Sequence, residues 1–159
     1  TYLLTDRKVA QHHWGGGTPT HLNPDEINEL ASYIKQSFNF KDNVEVSCEI
    51  DPRELTRPHL EALRNNGFNR ISMGVQDFDE KVQKAVNRIQ PEDITRQAVQ
   101  WVRELGYHSI NLDLIYGLPF QTVAGFAKTV EKIIDIPEYQ SRPNLRTPLS
   151  DVEIFYRYD

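Results

Sequence analysis

The sequence is short of cysteine, of basic stretches and of long apolar runs, and each shortage excludes a class of protein. Cys48 is the only cysteine among 159 residues, which rules out an intrachain disulfide and any all-thiolate metal site within this sequence. The formal net charge is -5 and no basic cluster offsets it, so we expect no nucleic-acid partner. No apolar run approaches ~18 residues and no signal peptide is recognisable, so we expect a cytoplasmic protein that does not enter a membrane.

The rest of the composition is that of an ordinary globular domain. With 159 residues, 38% of them hydrophobic and 26% charged, the chain is long enough for about one domain with a packed core. The five histidines lack the spacing of a zinc site, and we interpret them as structural or surface residues. They are His12, His13, His21, His59 and His108. Residue types alone therefore predict no metal ligand and no catalytic side chain.

Three consecutive glycines, Gly15, Gly16 and Gly17, are the most unusual feature that the sequence does contain. Glycine loses more conformational freedom on ordering than other residues, so the run is costly unless the main chain needs positive φ or must lie close to a ligand. The dinucleotide fingerprint does not fit because position 20 is Thr20, and the Gly-Lys-Ser/Thr of a P-loop is absent. Two interpretations stay open: a tight connection from a strand to a helix, and a loop that binds a ligand.

Strand-like and helix-like segments alternate along the chain, which predicts parallel βαβ units. Capping signals support this division: Asn23, Thr56 and Pro91 precede predicted helices, and Gly67 and Gly106 follow predicted helix ends. The predicted strands lie near 9–15, 44–51, 70–76 and 109–115, and the predicted helices near 24–38, 57–66, 79–86, 91–105 and 122–135.

Three of the predicted strands carry polar residues on one face and apolar residues on the other. The alternation runs through 44–51, 70–76 and 109–114. Parallel strands that are covered on both faces usually read as continuous apolar runs, so the polar face must meet something polar. An antiparallel sheet with one wet face is the alternative, but the intervening helices are long enough for parallel crossovers. We favour a barrel whose interior holds a polar ligand.

Polar residues also gather where these strands end. Ligands in parallel α/β folds collect at the carboxyl ends of strands, and 15–18, Glu49, Gln76 and Asp113 fall there. Each has a structural interpretation as well, because a carboxylate at a strand end can cap the next helix and Gln76 can open a turn. Arg88, which follows a short helix, can complement the C-terminus of that helix. Agreement among four strand ends favours a binding site.

Five motif blocks make the chain resemble the radical S-adenosylmethionine enzymes, and among them the oxygen-independent coproporphyrinogen III oxidases. The blocks are HWGGGTPT at 13–20, EIDPRE at 49–54, GFNRISMGVQDF at 67–78, VQKAVNR at 82–88 and NLDLIYGLPFQT at 111–122. The related haem chaperones typically carry EANP, SIGVQSF and LGR in the corresponding places. This sequence departs from the chaperone pattern at all three, so the resemblance favours the oxidases.

The resemblance implies an α/β fold, an incomplete and open (β/α)6 TIM-like barrel of the radical S-adenosylmethionine type, present here as a partial barrel over 1–136. It implies oxidative decarboxylation of two propionate side chains of coproporphyrinogen III, giving protoporphyrinogen IX, in anaerobic haem biosynthesis. A 5'-deoxyadenosyl radical performs this chemistry in the family. An electron donor and a monomeric state are implied as well. The alternatives are a relative that binds haem without this activity, and an inactive barrel fragment.

The same resemblance assigns cofactor-binding residues. It implies two S-adenosylmethionine molecules, the first contacted by Gly16 and Glu49 with Gly17 and Thr18 nearby, and the second by Gln76, Arg88 and Asp113. Main-chain groups of glycine can bind the methionyl amino and carboxylate groups, a carboxylate accepts from ribose hydroxyls, and arginine pairs with a carboxylate. These are binding and positioning roles, since the cofactor itself supplies the bond-breaking chemistry.

The resemblance breaks at the cluster ligands. The family binds a 4Fe-4S cluster through a CxxxCxxC loop after its first strand, and this sequence contains no such motif. Cys48 falls on the apolar face of its strand, so we interpret it as a small buried hydrophobe. The family's first strand and cluster loop would precede residue 9, and 1–7 do not resemble them, so the chain is either a fragment or the joined remainder of a longer one. Residues 137–159 align poorly, although 152–158 could form a later barrel strand.

Overall fold

The computed structural model describes residues 7–136 and the backbone of residues 152–156. Strands and helices alternate through this part of the chain, as the sequence predicts. The strands are β1 Val9–Trp14, β2 Phe40–Ile50, β3 Arg70–Gln76, β4 Ser109–Tyr116 and β5 Val152–Tyr156. The helices are α1 Pro24–Ser37, α2 Arg57–Asn65, α3 Glu80–Ala85, α4 Glu92–Glu104 and α5 Val123–Ile134.

The five strands form one parallel sheet in the order β1-β2-β3-β4-β5. Because crossovers between parallel strands are almost always right-handed, strands added in sequential order place their helices on the same face of the sheet. A doubly wound sheet would instead reverse its strand order at a switch point. The sequential order of the strands is therefore the order found in a barrel. The prediction of parallel strands is confirmed, and the antiparallel alternative is wrong.

The apolar face of the sheet packs against the four longer helices in a single hydrophobic cluster. Its fully buried members include Cys48, Ile71, Met73 and Leu112 from the strands and Ile27, Leu60, Val99 and Ile133 from the helices. Burial, with a smaller contribution from the neighbouring charge of Glu49, raises the pKa of the Cys48 thiol to about 12. The prediction that Cys48 is a small buried hydrophobe is confirmed, and its side chain lies on the face opposite to the predicted site.

The caps that fix the helix boundaries are those predicted from the sequence. The Asn23 side chain accepts hydrogen bonds from the first turn of α1 and forms a capping box with Glu26. Thr56 and Pro91 are the N-cap residues of α2 and α4. Gly67, which follows α2, has a φ of 86°, in the left-handed region where a Cβ is disfavoured.

The start of β2 is where the structure differs from the predicted boundaries, because the strand begins at Phe40 and not at residue 44. Residues 41–43 are Lys, Asp and Asn, and their exposed, polar sequence is typical of a turn. Phe40 nevertheless pairs with Val9, with a register shift before Gln11, and the Val9 amide donates to Asn39 at 2.7 Å. Pairing with β1 therefore overrides the local preference.

Residues 1–6, 137–151 and 157–159 lie outside the described part of the chain. The predicted division into a barrel part, 1–136, and a tail, 137–159, stays a prediction. The strand that the sequence allows within 152–158 is present over Val152–Tyr156 as β5, which pairs in parallel with β4. Among the described residues, none of the helices has the length and apolar character needed to cross a bilayer.

Candidate binding site at the strand ends

A polar cavity of about 290 Å³ lies at the carboxyl ends of the strands. Its wall contains six of the seven predicted site residues, namely Gly17, Thr18, Glu49, Gln76, Arg88 and Asp113. The seventh, Gly16, stands beside the cavity and donates its amide hydrogen to Glu49 Oε2 at 3.2 Å. A second cavity of about 240 Å³ is largely apolar, and none of the predicted residues lines it. The structure thus brings the predicted residues together at one place.

The three glycines of the loop after β1 are needed for two different reasons: Gly15 for lack of space, and Gly16 and Gly17 for their backbone conformation. An ideal Cβ on Gly15 would lie 2.4 Å from His13 Nε2 and 3.1 Å from Glu49 Cδ, so a side chain there would displace site residues. Gly16 and Gly17 have φ values of 82° and 66°, and no atom lies within 4 Å of an ideal Cβ on either of them. The loop therefore turns sharply and also leaves open space in front of its backbone.

Glu49 is oriented by the loop and by a histidine on the neighbouring strand. One oxygen, Oε2, accepts from the Gly16 amide, and the other, Oε1, lies 3.4 Å from His13 Nε2. His13 Nδ1 in turn lies 2.8 Å from Ser47 Oγ. The Glu49 side chain keeps 48% of its surface exposed, so its oxygens remain available to a ligand. Sequence reasoning missed this use of His13, whereas His12, which accepts from Trp14 Nε1 at 2.9 Å, is structural as predicted.

The end of β3 has a strained backbone. Gln76 has a φ of 68°, which is uncommon for a residue with a Cβ and costs ~1–3 kcal/mol. Gly74 makes room for this conformation, because an ideal Cβ there would lie 2.6 Å from Gln76 Nε2 and 3.3 Å from Arg88 Nη2. Gln76 Oε1 is buried and has no hydrogen-bond partner in the described part of the chain. An acceptor held in this way in a cavity wall indicates a place for a donor of a ligand.

Asp77 fixes the turn that follows. It is almost fully buried, and its carboxylate accepts from Thr129 Oγ1 at 2.7 Å, from the Asp79 amide at 2.8 Å and from Gln121 Nε2. These donors belong to α5, to the start of α3 and to the segment after β4. The sequence also allows Gln76 to open a turn. In the structure Asp77 holds that turn, and Gln76 lies in the cavity wall.

Arg88 reaches the cavity from the segment after α3. Its Nη2 donates to the Gly74 carbonyl at 3.1 Å, and its Nη1 lies 3.3 Å from Asp51 Oδ2. Burial lowers the pKa of Arg88, and the charge of Asp51 partly opposes that effect. The side chain thus turns towards the sheet, so the interpretation of Arg88 as a complement to a helix C-terminus does not describe it.

Asp51 is a further charged residue of the cavity wall that was not among the predicted site residues. Its side chain is 10% exposed and pairs with Arg53 at 2.6 Å. Burial opposes ionisation of Asp51, but the hydrogen bonds from Arg53 and the charge of Arg88 outweigh it, so the pKa of Asp51 lies below its ordinary value. The strand alternation that singles out Glu49 continues two residues on to Asp51, and this signal could have identified it.

Asp113 completes the cavity on β4, where its Oδ2 accepts from Ser72 Oγ at 2.9 Å. The wall therefore combines three carboxylates, on Glu49, Asp51 and Asp113, with the guanidinium of Arg88 and open main-chain groups. Such a mixture suits a ligand that carries an ammonium group, a carboxylate and hydroxyls. It does not suit an iron–sulfur cluster, because cluster ligands are thiolates and Cys48 is buried on the other face with a raised pKa.

The comparisons with known proteins agree with this geometry. Residues 2–133 match the Radical SAM superfamily. The chain is 51% identical over 133 residues to the oxygen-independent coproporphyrinogen III oxidase of Helicobacter pylori, and the alignment covers 83% of this chain and 29% of that protein. It is 47% identical over 134 residues to the enzyme of the same name from Escherichia coli, covering 84% and 29%. The chain therefore spans less than a third of the length of these curated relatives.

Solved structures show the same relationship. The coproporphyrinogen III oxidase of Escherichia coli, described as a radical SAM enzyme, superposes with a TM-score of 0.82 at 43% identity and covers 94% of this chain and 32% of that one. An archaeal Elp3 from Methanocaldococcus infernus superposes with a TM-score of 0.68 at 16% identity, covering 92% and 36%, and supports the fold alone. The predicted partial barrel and the predicted family resemblance are both confirmed.

Proposed function

Because this chain belongs to the Radical SAM superfamily, we propose that its polar cavity binds S-adenosylmethionine and that the whole protein is an oxygen-independent coproporphyrinogen III oxidase. The reaction is the oxidative decarboxylation of two propionate side chains of coproporphyrinogen III to vinyl groups. One observation carries the proposal: polar residues from four successive strand ends line one cavity in a chain that matches the family over 2–133.

The contacts of the cavity support a binding role for each residue. Open space in front of Gly16 and Gly17 allows a methionyl group to approach the main chain, with Thr18 alongside. Glu49 presents two oriented oxygens, which suits a pair of ribose hydroxyls. Arg88 is a planar donor that suits the methionyl carboxylate. Gln76 and Asp113 add polar contacts on the neighbouring strand ends.

In the family, S-adenosylmethionine and the 4Fe-4S cluster together supply the hydrogen-abstracting chemistry. The residues of this chain bind and orient the nucleoside. Cys48 does not fit a cluster ligand, so thiolates outside this sequence would bind the cluster.

The number of S-adenosylmethionine molecules is a separate part of the proposal. Gly16 and Glu49 would contact the first, and Gln76, Arg88 and Asp113 the second. A cavity of about 290 Å³ is at the lower end for a small-molecule site, so two molecules would extend beyond the described residues. Equilibrium dialysis of the full-length protein should give two molecules bound per chain.

The decisive experiment is anaerobic reconstitution of the full-length protein, followed by assay with coproporphyrinogen III. We expect release of carbon dioxide and formation of protoporphyrinogen IX, together with methionine and 5'-deoxyadenosine. If S-adenosylmethionine binds but coproporphyrinogen III is not decarboxylated, the reaction assignment is wrong. Tight haem binding without turnover would instead support the haem-binding alternative.

A matched pair of substitutions on β2 tests the cavity. Glu49→Gln removes a cavity carboxylate and should reduce turnover at least about tenfold, the size of one lost charge-assisted contact. Glu45→Gln is the control, because Glu45 lies on the same face of the same strand, accepts from Gln11 and has no place in the cavity wall. Equal activity of the two variants would remove Glu49 from the site.

Three further features belong to this proposal. The whole enzyme meets an electron donor that reduces the cluster. The enzyme is monomeric and cytoplasmic, as in the family that it resembles.

A further inference from the structure

We propose that Asp51 is a positioning residue that fixes the guanidinium group of Arg88 in the cavity wall, with Arg53 as its anchor. This inference rests on the proposed function, because it takes Arg88 to be a ligand of the carboxylate of S-adenosylmethionine. Asp51 is not itself assigned a ligand contact. Its effect on binding passes through Arg88.

Asp51 is suited to this role because its own carboxylate cannot turn freely. Oδ1 accepts from both the main-chain amide and Nε of Arg53 at 3.0 Å, and Oδ2 accepts from Arg53 Nη2 at 2.6 Å. The side chain is 10% exposed. Both oxygens are therefore fixed by a residue two positions away on the same chain segment, and Arg88 approaches a carboxylate whose orientation is already set.

Arg88 is then held at two points. Nη1 lies 3.3 Å from Asp51 Oδ2, and Nη2 donates to the Gly74 carbonyl at 3.1 Å. A planar guanidinium with two of its nitrogens held has a defined orientation. The third nitrogen, Nε, is buried and has no hydrogen-bond partner among the described residues. Asp51, which directly follows β2, and Gly74 on β3 thus set the plane of Arg88 between two strand ends.

Charge alone would give Asp51 the opposite effect on binding. Its carboxylate reduces the positive potential near Arg88, so removing it would strengthen the attraction of the cavity for a ligand carboxylate. A positioning role predicts weaker binding after the same change, because Arg88 loses one of its two points of attachment. The sign of the effect therefore separates the two explanations.

The test is a double-mutant cycle in the full-length, anaerobically reconstituted protein, with S-adenosylmethionine as the probe in equilibrium dialysis. Asp51→Asn should raise the dissociation constant about tenfold, the size expected from misplacing one charge-assisted hydrogen bond. Arg88→Met should raise it by at least as much. Asp51→Asn should add nothing in the Arg88→Met background, because the two residues act as a unit. Steady-state assays should show the change in KM for S-adenosylmethionine rather than in kcat.

The outcomes distinguish the inference from the function on which it rests. Normal affinity in Arg88→Met would remove both the proposed role of Arg88 and the role of Asp51. Weakened affinity in Arg88→Met with unchanged or tighter binding in Asp51→Asn, or additive effects in the double variant, would overturn the inference alone. Arg53→Met is the second variant if Asp51→Asn does not fold, and it should weaken binding by about threefold through the same coupling to Arg88.

A matched control is Asp79→Asn. Asp79 caps α3, the helix that precedes Arg88, by accepting from the amides of Lys81 and Val82. Asparagine caps helices about as well as aspartate, so this variant removes a carboxylate that is not part of the cavity wall and should keep the parental dissociation constant. A loss of affinity equal to that of Asp51→Asn would show that the general loss of negative charge, and not the contact with Arg88, is responsible.

Discussion

At the scale of the residue, Gly15 illustrates how the cavity depends on the absence of a side chain. Its φ is not in the left-handed region, so alanine would fit the backbone. The added Cβ would instead meet His13 Nε2 and Glu49 Cδ, at 2.4 Å and 3.1 Å. The histidine ring would have to leave its position beside Ser47, and Glu49 would lose a neighbour that orients it. The demand at Gly15 is therefore one of space at the site and not of backbone conformation.

We therefore expect Gly15→Ala to weaken the binding of S-adenosylmethionine by roughly three- to tenfold, equivalent to ~0.7–1.4 kcal/mol, with little change in the melting temperature. Gly67→Ala is the matched control. Gly67 has a φ of 86° and open space around it, so alanine there should cost ~1–2 kcal/mol of stability and leave binding unchanged. Dialysis and thermal unfolding of the full-length variants measure both quantities. The explanation is wrong if both variants lose stability and neither loses affinity.

At the scale of the element, the contact between Asp77 and α5 ties the end of β3 to a helix far along the chain. Thr129 is buried at 2% exposure, donates to Asp77 Oδ1 at 2.7 Å and accepts from the Phe78 amide at 3.2 Å. Valine has the same shape but cannot make either hydrogen bond. Thr129→Val should therefore destabilise the full-length protein by ~1.5–3 kcal/mol, because its partner is charged.

The comparison variant is Thr95→Val. Thr95 is as buried as Thr129, but its hydroxyl accepts from the neutral Gln90 side chain at 3.0 Å, so the loss should be ~0.5–1.5 kcal/mol. Thermal unfolding followed by circular dichroism should thus give a larger drop in melting temperature for Thr129→Val. The reverse order would argue against a special contribution from Asp77.

The elements themselves were predictable because their signals are local. Asn23 caps α1 with its side chain, Thr56 occupies the N-cap position of α2 and Gly67 follows its end, and each of these signals acts within a few residues of its position in the sequence. The start of β2 at Phe40 was not predictable in this way. Its cause is pairing with Val9, which lies about thirty residues earlier and leaves no trace in the polar sequence after Phe40.

At the scale of the whole molecule, the candidate site was predictable as far as strand ends determine it. Parallel strands in sequential order bring their carboxyl ends to one edge, so Glu49, Gln76 and Asp113 had to come together once the strands were assigned. The strand order does not determine the direction of a side chain that comes from a loop, such as Arg88. The contact of Arg88 with Asp51, and the left-handed backbone of Gln76, depend on tertiary contacts and have no local signal.

The sequential order of the parallel strands also predicts which edge of the sheet a bound ligand should stabilise. The cavity lies at the carboxyl edge, whereas the amino edge is closed by helix-ending turns such as the one at Gly106, where the His108 amide donates to the Asn69 carbonyl at 2.9 Å. A ligand that binds at one edge slows the local opening of that edge first, because it must dissociate before the backbone there can open. Ligand-dependent protection should therefore be strongly uneven across the sheet.

Hydrogen–deuterium exchange of the full-length protein, with and without S-adenosylmethionine, measures this difference. Protection should appear at 15–18, 49–53, 74–77 and 113–116, which lie at or directly after the carboxyl ends of the strands. Exchange should stay unchanged at 39–40, 67–69 and 106–108, which lie at or directly before the amino ends of the strands and serve as internal controls in the same molecule. Protection spread equally over both edges would point to general stabilisation, and protection confined to the amino edge would place the ligand elsewhere, so either pattern would contradict a site built from converging strand ends.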